Sequence, residues 1–147
     1  MNMTEIEDQE RARLSYEVQV YREQLRLLER EIERINLTTV DLANALRTME
    51  NLKNEDVMMP IGGGSYLKAS VYTTKVLVPI GADYMNEMER DKATVELRKR
   101  IESTKKAFEK LSEQFNAISK RLQDTGLKLS GFNRRAMGKG ETSEAYL

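Results

Sequence analysis

The stretch that decides the fold is residues 57–88, which read VMMPIGGGSYLKASVYTTKVLVPIGADYMNEM. It holds both prolines and four of the eight glycines, whereas residues 1–56 and 82–125 contain neither residue type. Proline breaks a helix interior and glycine weakens it, because proline lacks an N–H group and glycine has a large conformational entropy. The sequence therefore predicts two uninterrupted helical arms on either side of a short centre of a different kind.

Within this centre the hydrophobic pattern changes from helical to alternating. Val57–Ile61 leads into the glycine run Gly62–Gly64, and residues 65–72 then alternate, with Leu67 and Val71 on the apolar face. A period of two is typical of a strand with one buried face. Glycine supplies the positive φ angles of a tight turn. We therefore predict a first β-hairpin here.

A second hairpin follows directly. We predict its strands at Lys75–Ile80 and around Tyr84–Met88, with a turn at Gly81–Asp83. Pro60 and Pro79 cannot donate to a sheet ladder and belong at edges or bulges. Two isolated hairpins would be marginally stable and would leave unpaired edges. We therefore expect them to pair with hairpins from other chains.

The first arm carries a heptad repeat over residues 14–49, which predicts a coiled-coil helix at about residues 7–52. Charged side chains occupy its other faces. The repeat alternates steps of four and three through eleven positions, all apolar except Thr39: Leu14, Val18, Tyr21, Leu25, Leu28, Ile32, Ile35, Thr39, Leu42, Leu46 and Met49.

The second arm repeats this pattern over residues 97–122. Asp91 is the predicted N-cap, and Gly126 is the predicted stop, so we expect the helix over residues 91–125. Two heptad arms joined by a compact centre should fold back antiparallel. The seam positions are Leu97, Ile101, Thr104, Phe108, Leu111, Phe115, Ile118 and Leu122.

Residues 126–147 are predicted to be a weakly ordered tip and tail of the single domain 1–147. Leu129 and Phe132 continue the heptad series, so together with Leu127 they would form a partly covered tip. A disordered tail with incidental apolar residues is the alternative.

Composition excludes several classes of function. The 147 residues include no cysteine and no histidine, which removes disulfides, thiolate chemistry and the commonest general base and metal ligand. We expect no catalytic site, metal or cofactor. The charge is balanced, with 24 basic and 24 acidic residues, and no stretch is apolar enough for a signal peptide or membrane span. We expect a cytoplasmic protein with no membrane or nucleic-acid partner.

The central residues resemble those of alpha-class subunits of prefoldin, a co-chaperone of archaea and eukaryotes. The resemblance rests on Pro60–Ala69 and Lys75–Tyr84, and on the presence of two hairpins rather than one. Pro79 is a departure from the family pattern. The resemblance implies an α+β fold: a long antiparallel coiled-coil hairpin with two central β-hairpins that join an oligomeric β-barrel.

The resemblance also implies a function. Two alpha-class and four beta-class subunits would form a hexamer that holds unfolded polypeptides without ATP and passes them to a group II chaperonin. Client contacts would come from residues near the arm ends, namely Leu14, Val18, Leu122, Leu127, Leu129 and Phe132. Assembly would depend on Ile61, Leu67, Val71, Val76, Val78 and Ile80.

Other interpretations stay open at this stage. A purely structural coiled-coil scaffold would share the same arms but bind no unfolded chains. An enzyme would have to use the surface carboxylates, but their helical spacing is explained more simply by a solvated helix face. A nucleic-acid binder would have to use Arg134–Arg135, and two adjacent arginines are weak evidence for such binding. A phosphate loop at Gly62–Gly64 would need the lysine and the following helix that this sequence lacks.

Overall fold

The computed structural model describes the backbone of residues 2–144 and the side chains as far as Gly138. The elements are α1 (Met3–Glu50), β1 (Asp56–Gly62), β2 (Ser65–Ser70), β3 (Lys75–Gly81), β4 (Tyr84–Glu89) and α2 (Arg90–Glu144). The predicted order of helix, two hairpins and helix is confirmed.

The chain divides into two compact units. We call Ile35–Ala107 the hairpin unit, because it contains both hairpins and the adjoining helix segments. We call Met1–Arg34 with Phe108–Leu147 the helical unit, because it contains the remaining parts of both helices.

Helix α1 begins at Met3, before the predicted start near Glu7, and local capping explains the difference. The Asn2 backbone N–H donates to the Glu5 carboxylate at 3.1 Å, and the Ile6 N–H donates to the Asn2 carbonyl at 3.2 Å. These bonds satisfy backbone donors that otherwise lack partners at a helix start, as in a capping box. The helix ends at Glu50, and the Asn51 side-chain amide donates to the Arg47 carbonyl at 2.8 Å.

The two hairpins, β1 with β2 (hairpin 1) and β3 with β4 (hairpin 2), repeat the same backbone plan. In hairpin 1, Pro60 lies opposite Tyr66 and Gly62 opposite Ser65. In hairpin 2, Pro79 lies opposite Met85 and Gly81 opposite Tyr84. The matching strands have equal lengths, so each residue of hairpin 1 has an equivalent in hairpin 2. Both prolines lie next to a register shift, so their predicted position at bulges is confirmed.

The turns contain the positive φ angles that the sequence predicts. Gly62, Gly63 and Gly64 have φ of 105°, 57° and 75°. In the second turn the same conformation falls on Gly81, Ala82 and Asp83, so two residues with side chains adopt a region that favours glycine.

The core of the hairpin unit lies between hairpin 2 and the adjoining helices. It consists of Met49 from α1, Val78 and Met88 from the hairpin, and Ala93 and Leu97 from α2. Partly buried side chains at its border are Leu42, Ala45, Leu46 and Val76. Val78 is 1% exposed, so one face of hairpin 2 is sealed against the helices of its own chain.

The helices pair along the predicted heptad seam. All eleven seam positions of α1 are buried or half-buried, whereas apolar residues outside the seam, such as Leu27 and Leu37, are exposed. In the hairpin unit, Glu50 forms an ion pair with Arg98 at 2.9 Å. In the helical unit, Leu28 and Ile118 line one groove. The coiled-coil prediction is confirmed in each unit.

Helix α2 departs from its prediction at both ends. It begins at Arg90, so Asp91 lies inside the first turn rather than at the N-cap. It also continues through Gly126 to Glu144, so the predicted stop at Gly126 is wrong. Gly126 keeps a helical backbone without a positive φ.

The continued seam explains why the helix does not stop there. Glycine in a helix interior costs about 1 kcal/mol relative to alanine, and burial of neighbouring seam residues offsets that cost. Thr125 is buried, and Leu129 and Phe132 are half-buried. The weak order expected of residues 126–147 stays a prediction, and its last part, residues 145–147, lies outside the described residues.

Candidate assembly and client-binding surfaces

Hairpin 1 exposes apolar side chains on both of its faces. Cross-strand pairing puts Val57 opposite Ala69 and Met59 opposite Leu67 on one face, and Met58 opposite Lys68 on the other. Its exposed large apolar residues are Val57, Met58, Met59, Ile61, Tyr66 and Leu67. A two-stranded hairpin with this much exposed apolar surface requires a partner for stability.

Hairpin 2 packs one face against the core and exposes the other. Leu77 lies opposite Glu87 and Pro79 opposite Met85 on the face that points away from the core. Leu77 is 62% exposed, and Met85, Ile80 and Tyr84 are exposed as well. The hairpin is therefore anchored by one face and available through the other.

The six residues predicted for assembly fall into two groups. Ile61, Leu67 and Ile80 are exposed, as an intersubunit contact would need, and Val71 is half-buried. Val76 and Val78 lie instead on the face that packs against the chain's own helices. We therefore correct the assignment of Val78, because its side chain is already buried within the single chain and cannot contact another subunit. Val76 is only partly buried at the border of this core, so its role in assembly stays a prediction.

Several exposed residues escaped the sequence prediction. Leu77 was missed because β3 is apolar at every position from Val76 to Ile80, so alternation cannot tell which face is covered. Met58 was missed for the same reason in Val57–Ile61. Met85 on β4 shares the face of Leu77 through its pairing with Pro79. The register of each hairpin, which the turn fixes, is the signal that separates the faces.

The residues predicted to bind clients also differ in accessibility. Leu14 and Val18 are only 3% and 7% exposed in the seam of the helical unit. Leu122, Leu129 and Phe132 are half-buried, whereas Leu127 is 62% exposed. The Arg135 guanidinium lies 4.8 Å from the centre of the Phe132 ring and partly covers it. In this conformation Leu127 offers the most accessible apolar surface of the six.

The exposed faces of α1 carry ion pairs between residues three or four positions apart. Arg13 hydrogen-bonds Glu10 and holds the pKa of that carboxyl below its usual range, and the positive charge of Lys128 adds to this effect. Arg26 lowers the pKa of Glu23 in the same way. Such solvent-exposed pairs contribute little individually, so they describe a solvated helix face rather than a catalytic site.

The described residues contain no cluster of three or more acidic side chains positioned to hold a metal ion. Over the same residues, neither helix has a stretch apolar enough to cross a bilayer.

Comparison with known proteins places the chain in a family. A family model described as prefoldin subunit matches residues 21–131, which is more than half of the chain. The chain belongs to the prefoldin subunit family. Prefoldin is a chaperone-type assembly, and the predicted resemblance to its alpha class is confirmed by archaeal relatives that carry that name.

Three alpha subunits illustrate the similarity. The prefoldin subunit alpha of Methanococcus aeolicus is 36% identical over 94 residues, which are 63% of this chain and 65% of that protein. Prefoldin subunit alpha 1 of Methanocaldococcus jannaschii is 29% identical over 72% of this chain and 80% of its own length. The Pyrococcus horikoshii subunit alpha is 29% identical over 82% and 86%. The chain thus spans just under two thirds of the first of these relatives.

Solved prefoldin structures share the fold. A filamentous prefoldin from Methanocaldococcus jannaschii aligns with a TM-score of 0.64 at 21% identity, over 78% of this chain and 98% of that one. The prefoldin beta subunit from Thermococcus strain KS-1 aligns with a TM-score of 0.59 at 17% identity, over 82% and 90%.

Proposed function

We propose that this chain is the alpha-class subunit of an ATP-independent holdase. In this proposal two such chains and four beta-class subunits form a hexamer in the cytoplasm, which captures unfolded polypeptides and passes them to a group II chaperonin. The proposal rests on one observation in a chain of the prefoldin family: the apolar side chains on both faces of hairpin 1 are exposed, and no other part of the described chain covers them.

Assembly would cover these hairpin faces. Met59 and Leu67 on one face and Met58 and Tyr66 on the other are exposed side by side. Apolar surface removed from water stabilises an interface by about 25 cal/mol per Å² before association costs are subtracted. Hairpins from several subunits that close into a barrel would bury both the faces and the strand edges.

Client capture would use the exposed apolar surface of α2 in the helical unit. Leu127 is exposed, and the adjacent seam residues Leu122, Leu129 and Phe132 are half-covered. An unfolded chain displays scattered apolar side chains, so a partly covered apolar strip can hold it without a shaped pocket. Leu14 and Val18 support this strip from within the seam rather than by direct contact.

The test compares two leucines of equal exposure. Leu127 and Leu37 are both 62% exposed on a helix surface, but Leu37 belongs to the hairpin unit. The chain is co-expressed with an archaeal beta-class subunit, and the complex is added to a denatured client without nucleotide. Light scattering then reports aggregation. We expect Leu127→Ser to raise the amount of complex needed for half suppression several-fold, and Leu37→Ser to leave it unchanged.

Two results would contradict the proposal. Equal activity of both variants would move the client site away from Leu127. A complex that suppresses no aggregation at any stoichiometry would support the scaffold interpretation instead. Native mass spectrometry of each variant is the control, because loss of suppression is informative only while the subunit composition is unchanged.

A further inference from the structure

Methionines form part of both the core and the exposed surface of the hairpins. The chain has eight methionines and no cysteine, so methionine supplies every oxidisable sulfur. Met49 and Met88 are only 8% exposed in the core of the hairpin unit. Three others are exposed, namely Met58 and Met59 on hairpin 1 and Met85 on hairpin 2. In the single chain, solvent therefore reaches three thioethers on the surfaces proposed for assembly.

Met58 has a cationic cross-strand neighbour. The Val71 N–H donates to the Glu55 carbonyl at 2.9 Å, and hydrogen-bonded pairs alternate with non-hydrogen-bonded pairs along an antiparallel ladder. Met58 and Lys68 therefore form a non-hydrogen-bonded pair. Side chains approach closely in such a pair, with Cβ atoms about 4.5–5.5 Å apart. The Lys68 ammonium can thus reach the Met58 sulfur.

The surroundings leave this ammonium available. Lys68 is exposed, and within the described part of the chain it forms no ion pair. The Asp56 carboxylate on the same face accepts a hydrogen bond from the Ser70 hydroxyl. An open groove of about 370 Å³ is lined by both Met58 and Lys68. A small oxidant in this groove can contact the sulfur and the ammonium together.

The other two exposed hairpin methionines have apolar cross-strand neighbours. Met59 lies opposite Leu67, and Met85 lies opposite Pro79. Met58 and Met85 are 62% and 58% exposed, so solvent access to the two sulfurs is nearly equal. They are a matched pair that differs in whether a cation lies across the strand.

We propose that Met58 is a site of reversible oxidation to methionine sulfoxide by peroxides, and that the oxidised chain does not assemble with beta-class subunits. Met59 and Met85 are slower sites of the same reaction. The inference rests on the proposed function, because it concerns the hairpin surfaces that assembly would bury.

The reaction with hydrogen peroxide needs only the thioether and the oxidant. The Met58 sulfur donates an electron pair to one peroxide oxygen, so that an S–O bond forms and the O–O bond breaks. Sulfur loses two electrons, and the departing oxygen takes the proton of the transferred oxygen and leaves as water. The Lys68 ammonium stabilises the negative charge on the departing oxygen and afterwards donates to the sulfoxide oxygen.

Oxidation changes the surface that assembly must bury. A thioether is apolar and flexible, which suits a packed interface, whereas a sulfoxide is polar and chiral. A Met59 sulfoxide opposite Leu67 would be buried without a cross-strand donor, and a Met58 sulfoxide would hold the Lys68 charge over the face. Burial of an unpartnered polar group or of a charge opposes association. Methionine sulfoxide reductases reverse the modification.

Peptide mass spectrometry of the peroxide-treated chain tests the site. The chain alone is incubated with hydrogen peroxide, and the sulfoxide at each methionine is measured over time. We expect Met58 to be oxidised several-fold faster than Met85, and the buried Met49 and Met88 to be oxidised most slowly. Lys68→Leu should lower the rate at Met58 to that at Met85.

A mixing experiment tests the effect on assembly. The oxidised chain is freed of peroxide and titrated with an untreated archaeal beta-class subunit, and native mass spectrometry follows complex formation. We expect the beta-class concentration for half assembly to rise about tenfold or more, because polar groups are buried without partners. Treatment of the oxidised chain with methionine sulfoxide reductases A and B should restore the original value.

Two leucine variants are matched controls, each compared with its own untreated sample. The triple variant Met58→Leu, Met59→Leu and Met85→Leu should not respond to peroxide. Met3 and Met137 are both 75% exposed but lie in the helical unit. The double variant Met3→Leu and Met137→Leu should therefore stay as sensitive to peroxide as the wild type.

Equal oxidation rates at Met58 and Met85 in the wild type would overturn the inference. So would an oxidised chain that assembles like the untreated one, or a triple variant that loses assembly on peroxide treatment. If the triple variant did not assemble at all, the preformed wild-type complex would decide, because burial should slow oxidation of Met58 several-fold and an unprotected Met58 would refute the inference. An untreated wild-type chain that joins no beta-class complex would instead refute the proposed function.

Discussion

Replacement of Val78 by alanine is the most direct test of how hairpin 2 is anchored. Val78 is 1% exposed and lies among Met49, Met88, Ala93 and Leu97. The substitution removes two methyl-sized groups, worth about 0.8 kcal/mol each in transfer free energy. The cavity left between helices and hairpin adds to this loss, so we expect a decrease of about 2–3 kcal/mol in the free energy of unfolding.

The control is Leu77→Ala, at the neighbouring position on the opposite face of the same strand. Leu77 is 62% exposed in the single chain, so its truncation should change the free energy of unfolding by less than about 0.5 kcal/mol. Urea unfolding followed by circular dichroism measures both variants, at several protein concentrations because association stabilises the folded chain. A Leu77→Ala loss equal to or larger than that of Val78→Ala would show that the anchored face has been assigned wrongly.

The glycines and the ion pairs give two further predictions. Gly126→Ala should raise the melting temperature, because the helical backbone has free space for a Cβ. Gly81→Ala should lower it, because φ at this position is 116°, which an alanine rarely adopts. A calorimetric measurement in which both substitutions shifted the melting temperature in the same direction would contradict this. Arginine neighbours depress the pKa of Glu10, Glu23 and Glu31, so their stabilising contribution is complete above the ordinary carboxyl pKa and is lost as the pH falls through the depressed values. Thermal melts across this acid range should show a loss that shrinks in high salt, and a loss independent of salt would assign it to other groups.

The order of elements and the seam could be predicted from the sequence because both depend on local pattern. Heptad spacing specifies which side chains share a helix face, and the glycines at Gly62–Gly64 and Gly81 specify where each strand turns. The stop at Gly126 was wrong because burial of Thr125 and Leu129 is a tertiary effect that outweighs a glycine propensity of about 1 kcal/mol. The assembly role of Val78 was wrong because alternation identifies two faces without saying which one the chain's own helices cover.

The difference between the two hairpins lies in a few side chains placed on one shared backbone plan. Met88 fills the core of the hairpin unit, whereas the equivalent position in hairpin 1 is Ala69, which is too small to do so. Val78 is matched by Met59, a flexible side chain that can adapt to a partner surface. Hairpin 2 therefore has an apolar face that fixes it to its own helices. Hairpin 1 has a face that the described part of its own chain does not cover. The same motif therefore occurs twice with different side chains, one copy anchored to the chain's own helices and the other available for the proposed assembly.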